Sequence, residues 1–149
     1  MTEATEVQSS ELHSDGQRAV FAWYCGILEQ GRLPSRADFE PLDFPEALAN
    51  LVLVDVEQAP RRYRTRLVGT AVTDATGQDG TGNYFDEVEG TKRAIERADH
   101  AVSSYRPGFE SGVPMTWSPK DYKLYSILSL PLSSDGETVD MLMYCLYFE

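Results

Sequence analysis

The sequence is poor in the residues that most often bind metals, form cross-links or act as nucleophiles. It contains two cysteines and two histidines in 149 residues. Cys25 and Cys145 are far apart and form no Cys-x-x-Cys pair, so neither a disulfide framework nor a zinc site is indicated. His13 and His100 are too few for a histidine-based catalytic triad or a histidine-rich metal site.

Positive charge and long apolar runs are also scarce. With 13 basic and 24 acidic residues the formal net charge is −11, which disfavours nucleic acid or a membrane as a partner because nothing offsets the repulsion. No apolar run approaches membrane-spanning length, and the polar N-terminus lacks the basic start and apolar core of a signal peptide. We therefore expect a cytoplasmic protein of one domain.

The chain ends in two long β-favouring runs, residues 121–132 and 137–148. They flank an Asp-Gly dipeptide at residues 135–136, which suits a two-residue hairpin turn and would pair Leu130 with Met141. Both faces of the predicted strand pair are apolar, which is typical of strands at the centre of a sheet. A layer of structure must then cover each face.

Two amphipathic helices can supply these layers. Ser14 and Gln17 fit a capping box and Gly31 is a natural stop, which predicts a helix over residues 14–30. A longer helix follows Gly90, with an apolar face from Ala94 to Tyr105 and charged residues opposite. The polar residues 1–13 predict a disordered leader, so the predicted domain spans residues 14–149.

The remaining segments predict three further strands and several short helical turns. A continuous Leu/Val run at residues 51–56 indicates a buried strand, and alternation over residues 62–68 indicates an edge strand. Residues 69–77 and 84–88 suit short helices, and residues 109–117 suit a strand with an irregularity at Pro114. This order predicts an α+β fold with an antiparallel sheet.

These segments, in this order, resemble the PAS domain, a small sensory module, in its compact stand-alone form found in α-proteobacterial proteins. The likeness spans residues 17–148 and is carried by the segments 33–45, 50–57, 62–70, 77–88 and 131–136. It implies a five-stranded antiparallel sheet of order 2-1-5-4-3, with helices on one face and the N-terminal amphipathic helix on the other. That order places the last strand centrally, as its two apolar faces require.

The resemblance also implies a homodimer, because the N-terminal helix often mediates dimers in this family. The residues expected at the dimer interface are Val20, Trp23, Tyr24 and Ile27. The same helix is expected to meet Tyr125, Tyr144 and Leu146 on the outer face of the sheet.

PAS domains commonly hold a small molecule, haem or flavin between the sheet and the long helix. His100 lies on the helix that supplies a haem ligand, but on its charged side, and no cysteine lies where a flavin photosensor needs one. Neither cofactor is therefore predicted. The apolar wall that includes Met143 is either ordinary core or the lining of an adaptable pocket. The candidate ligand-binding residues are Tyr105, Trp117, Ser126, Met143 and Cys145.

Three arginines, Arg62, Arg64 and Arg66, form a basic stripe on an otherwise acidic chain. The stripe fits a charged edge strand that resists pairing with another sheet, with Asp55 or Glu57 as its partners. The alternative interpretation is a site for an anionic partner.

Together these observations predict a non-enzymatic sensory or regulatory module that binds a small ligand or a partner protein and signals through a dimer interface. The chain length leaves no room for an output domain, so we expect a separate signalling protein to receive the signal. One alternative is a small α+β cone enzyme of the ketosteroid-isomerase type, with Asp121 and Asp140 as its acid–base candidates. Another is a dimeric scaffold with a filled core and no ligand.

Overall fold

A computed structural model describes residues 7–118 and 123–149. In these ranges five strands form a central sheet, and three α-helices cover its two faces. The helices are α1 (Asp15–Leu28), α2 (Thr70–Thr76) and α3 (Lys92–Ser104). The strands are β1 (Leu51–Glu57), β2 (Arg62–Val68), β3 (Gly108–Pro114), β4 (Leu124–Leu132) and β5 (Met141–Phe148). Among the helices of the described ranges, none combines the length and the apolar character needed to span a membrane.

The strands form one antiparallel sheet of order β2-β1-β5-β4-β3, which confirms the predicted fold and strand order. The last strand is central, and it pairs with β1 on one side and β4 on the other. Residues 142–146, which point alternately to the two faces, are all buried, as expected for a strand covered on two sides.

The predicted register of the last hairpin is wrong by two residues. Leu130 pairs with Met143, not Met141, and the connection is an eight-residue loop, 133–140, instead of a two-residue turn. The Asp135 carboxylate accepts hydrogen bonds from the backbone N–H groups of Glu137 and Thr138, both at 2.8 Å, and these contacts close a wider loop. An even shift leaves every side chain on its predicted face of the pair.

The helix α1 covers the opposite face of the sheet from the one predicted. We call the side on which it packs the α1 face; its sheet residues are Leu51, Leu53, Leu128, Leu130, Met143 and Cys145. The other side, the cavity face, lies under α2 and α3; its sheet residues include Val52, Val54, Tyr125, Ile127, Tyr144 and Leu146. The expectation that α1 meets Tyr125, Tyr144 and Leu146 is wrong, because alternation along a strand groups residues by face but does not assign a layer to that face.

The N-terminal end of the described chain packs on the same side as α1. Leu12 is buried in the α1-face core, and the His13 ring contacts Phe109 and Tyr147 edge-on. Leu12 and His13 of the predicted leader therefore contact the core and the sheet, whereas residues 1–6 lie outside the described residues. The helix itself begins as predicted, because Ser14 Oγ accepts the backbone N–H of Gln17.

The edge strand β2 carries the three arginines of the basic stripe. Arg66 donates to both carboxylate oxygens of Asp55 at 2.9 and 3.0 Å, and Arg62 donates to Asp86. Arg64 donates to the Gly82 carbonyl at 3.2 Å. All three guanidinium groups thus have partners within the chain, which agrees with a charged edge strand.

Candidate ligand-binding site

A cavity of about 210 Å³ lies between the cavity face of the sheet and the helical layer formed by α2, α3 and residues 77–88. Strands β1, β2, β4 and β5 form its floor. The apolar lining residues include Val52, Val68, Val72, Phe85, Val88, Ala94, Ile127 and Leu146. Most of the wall is therefore hydrocarbon, as is usual for small-molecule pockets.

Gly90 holds the start of α3 close to the segment that follows β3. Its φ of +83° lies in the left-handed region, and a Cβ there would stand 2.2 Å from the Thr116 carbonyl oxygen. Thr116 Oγ1 donates to the Gly90 carbonyl at 2.6 Å across the same contact. This close approach places Trp117 at the rim of the cavity.

Tyr144 supplies a buried polar group that is unused. Its side chain lines the cavity, and its hydroxyl has no hydrogen-bond partner among residues 7–118 and 123–149. Burial raises the pKa of this hydroxyl well above its ordinary value, so it is protonated and able to donate. A buried hydroxyl without a partner is unfavourable by about 1–3 kcal/mol, which a bound molecule can relieve.

Tyr125 and Arg97 line the same cavity and lie near enough to Tyr144 to act on its hydroxyl electrostatically. Arg97 donates to the Tyr125 hydroxyl oxygen at 3.4 Å, and its guanidinium lies 6.0 Å from the centre of the Tyr125 ring. The Trp117 ring packs edge-on against Tyr125 with centroids 5.3 Å apart. The two tyrosines and the arginine therefore group hydrogen-bond donors in one part of the wall of a largely apolar space.

Arg97 is charged although its side chain is only 10% exposed. It donates from Nε to Glu110 at 2.5 Å, and Arg93 donates to the same carboxylate at 2.9 Å. Burial opposes the charge of Arg97, but Tyr125 and Glu110 outweigh it and raise the pKa of the guanidinium. Burial likewise opposes ionisation of Glu110, but the hydrogen bonds from Arg97 and Arg93 prevail and lower its pKa.

The cavity opens to solvent at the glycine-rich turn that follows α2. Gln78, Asp79 and Asn83 are exposed and line this mouth. The Gln78 side chain donates to the Trp117 carbonyl at 3.1 Å, which ties the turn to the far rim. Thr81 donates twice to Asp79, through its backbone N–H and its hydroxyl, and so holds the turn in shape.

Among the five predicted ligand residues, Trp117 lies in the cavity lining. Tyr105 is exposed and its hydroxyl donates to the Glu137 carbonyl. Ser126, Met143 and Cys145 are buried on the α1 face, so the whole thickness of the sheet separates them from the cavity. The structure does not bring the five together.

The residues that sequence reasoning missed are Tyr144, Tyr125 and Arg97. The sequence predicts that both tyrosines contact α1, and its patterns indicate no role for Arg97. A signal was present: Tyr144 interrupts an apolar central strand, where a phenol needs a polar partner when buried.

Two of the four residues predicted at a dimer interface are buried within the protomer. Val20 and Tyr24 are 0% exposed, and the Tyr24 hydroxyl donates to the Pro131 carbonyl at 2.6 Å. Trp23 and Ile27 are half-buried. Trp23 packs on the Phe39 and Phe44 rings. A helix-to-helix contact would thus use the outer side of α1.

Neither His100 nor Asp140 lines the cavity. His100 is exposed on α3. Asp140 accepts the Ser134 backbone N–H at 3.0 Å and lies outside the cavity lining, while Asp121 falls outside the described residues. In the described part of the chain there is no group of three or more His, Cys, Asp or Glu side chains that could hold a metal ion.

Comparison with known proteins gives a family and a fold. A family model described as "PAS domain" matches residues 12–147. A solved sensory box sensor histidine kinase from Vibrio cholerae is 18% identical, with 89% of this chain and 97% of that chain covered and a TM-score of 0.50. The PAS domain of the histidine kinase ThkA is 9% identical, with 65% and 97% covered and a TM-score of 0.48. No curated protein matches the chain.

Proposed function

This chain belongs to the PAS domain family, and we propose that it is a non-enzymatic sensory module that responds to a small molecule bound in its cavity. The observation that carries the proposal is the unpartnered Tyr144 hydroxyl in the wall of a largely apolar cavity. An apolar space with few polar groups converging at one end is the usual form of a small-molecule site. Trp117, at the rim, is the member of the predicted ligand set that we retain.

Two central strands connect the cavity with helix α1. Successive residues of a strand point to opposite faces, so Tyr125 and Tyr144 on the cavity face adjoin Ser126 and Cys145 on the α1 face. Gln17 of α1 donates to the Ser126 hydroxyl and the Cys145 carbonyl, both at 3.2 Å. A ligand that moves these strands would therefore also move the two groups to which α1 is hydrogen-bonded, the Ser126 hydroxyl and the Cys145 carbonyl.

We propose that the outer side of α1 forms a homodimer and that a separate signalling protein reads the position of this helix. Trp23 and Ile27, which the protomer leaves half-buried, are the residues available for the contact. Val20 and Tyr24 support the helix from below, because both are buried against the sheet.

Native mass spectrometry of freshly purified protein tests the sensory role directly. We expect a mass above that of the chain, lost on denaturation, and a dimer in the same spectrum. Ala94→Leu, which adds volume inside the cavity, should abolish the retained mass. The matched control is Ala37→Leu, because Ala37 is exposed and distant from the lining.

A bare dimer that also takes up nothing from a cell extract would contradict the sensory proposal and support a ligand-free scaffold. Retained mass that survives in Ala94→Leu would place the ligand elsewhere. A monomeric protein with retained mass would contradict only the dimer.

A further inference from the structure

We propose that the cavity binds a small monocarboxylic acid with an apolar body of about one ring, whose carboxylate is received by Tyr144, Tyr125 and Arg97. The inference rests on the proposed function, because it names the ligand class of the same site. Size, donor chemistry and local charge each restrict the ligand independently.

The size of the cavity limits the ligand to roughly one ring. A cavity of about 150 Å³ can hold benzene, and drug-sized ligands occupy pockets of about 300–1,000 Å³. The volume here is about 210 Å³. It therefore fits a single ring, or a branched chain of similar size, together with one compact polar group.

The hydroxyl groups of Tyr144 and Tyr125 each carry a proton that needs an acceptor. The Tyr144 hydroxyl has no partner within the described ranges. Tyr125 uses its oxygen to accept from Arg97, which leaves its own proton available. A ligand with acceptor oxygens satisfies the protons of both phenols, whereas a ligand that only donates would leave those protons unpaired.

Local charge favours an anion over a neutral acceptor. Arg93 and Arg97 share one carboxylate, that of Glu110, so this cluster carries one excess positive charge in a chain whose formal net charge is −11. The acidic group on the cavity lining, Asp79, lies at the exposed mouth. One carboxylate on the ligand would therefore balance this positive charge. Burying that carboxylate is favourable only when Tyr144, Tyr125 and Arg97 donate hydrogen bonds to it.

The remaining lining suits the body of such an acid. Ile127, Leu146 and Val72 present hydrocarbon around the space, and Trp117 closes one side. The apolar body is thus buried while the carboxylate meets the donors, and this division gives one orientation in the site.

Isothermal titration calorimetry with benzoate and phenylacetate, and with benzyl alcohol as the neutral probe, tests the ligand class on the full chain. We expect an acid to bind at least about tenfold more tightly than benzyl alcohol. Tyr144→Phe should weaken the acid by roughly ten- to a hundredfold, the range for a hydrogen bond to a charged group. Tyr24→Phe is the matched control, because Tyr24 is an equally buried tyrosine on the α1 face and should leave binding unchanged.

Arg97→Gln should weaken the acid and leave benzyl alcohol unchanged. Since Arg97 also holds Glu110, this variant can fail to fold; Tyr125→Phe, which keeps the ring contacts with Trp117 and Phe148, then takes its place. Weaker binding of the acid alone in Arg97→Gln, or a larger loss for the acid than for benzyl alcohol in Tyr125→Phe, supports the proposal.

Equal or tighter binding of benzyl alcohol would overturn the acid class while leaving the cavity as a ligand site. Acid binding that survives both Tyr144→Phe and Tyr125→Phe would overturn the assigned donors. No binding of either acid would overturn the proposal as a whole. Retained mass on the purified protein would still decide the sensory role, so the two failures are distinguishable.

Discussion

The two faces of the sheet are built from the same strands, but they differ in one buried polar group. On the α1 face Gln17, 0% exposed, accepts from the His13 backbone N–H and donates to the Ser126 hydroxyl and the Cys145 carbonyl. On the cavity face the Tyr144 hydroxyl has no partner in the described chain, although its residue lines the cavity.

This difference separates stability from function. A filled core with satisfied polar groups specifies the fold, whereas an opening with an unsatisfied donor lowers stability and is retained where a ligand completes it. Under the proposed function, the α1 face would hold the fold and report the signal, and the cavity face would bind the ligand.

The largest test of the comparison uses one substitution on each face. Leu130→Ala on the α1 face should lower the free energy of unfolding by about 3–5 kcal/mol, because a fully buried leucine leaves a new void. Leu146→Ala should cost nearer about 2 kcal/mol, because Leu146 already borders open volume. Urea unfolding measures both; equal losses would contradict the view that only one face is filled.

The next largest effect is a loss of folding stability at alkaline pH. Burial, followed by the hydrogen bond to Asp99, raises the pKa of Tyr63 on the cavity face to about 12 from 10.0. Between these values the unfolded chain loses the proton while the folded protein keeps it, so stability falls as pH rises, by on the order of 2 kcal/mol. Urea midpoints from pH 9 to 12 should decline more gently in Tyr63→Phe than in the wild type; identical slopes would refute the assignment.

A pair of tyrosine-to-phenylalanine substitutions compares the polar groups directly. Tyr24→Phe removes a hydrogen bond to the Pro131 carbonyl and should cost about 1–2 kcal/mol. Tyr144→Phe removes an unpartnered hydroxyl and should be neutral or stabilise the ligand-free protein by up to about 1 kcal/mol. Thermal unfolding of ligand-free protein measures both, and a loss in Tyr144→Phe as large as in Tyr24→Phe would mean that its hydroxyl is satisfied.

The smallest effect on the free energy of unfolding is expected at the edge of the sheet, outside both packed faces. Asp55→Asn removes the partner of Arg66 on the exposed edge strand β2 and should cost less than about 1 kcal/mol, since solvent screens such pairs. The loss should shrink further in high salt. A cost comparable to Leu130→Ala would show that the edge contributes as much as a packed face.

Much of the fold followed from local patterns. Alternating and continuous apolar runs predicted the strands, and caps and glycines predicted α1 and α3. The hairpin register did not follow, because the Asp135 carboxylate closes a loop of its own in place of a two-residue turn. The candidate site was predicted in part: its place under the long helix was expected, but Trp117 is the member of the predicted set that lines it.

Which side chains share a face of each strand can be read from the residue order, because it depends only on alternation along the backbone. Which layer covers which face cannot be read in this way. It depends on contacts between distant segments, such as the bond from Gln17 to Ser126, 109 residues along the chain. These contacts place Tyr144 on the cavity face. Its neighbour Cys145 then lies on the α1 face, because successive residues of a strand point to opposite sides.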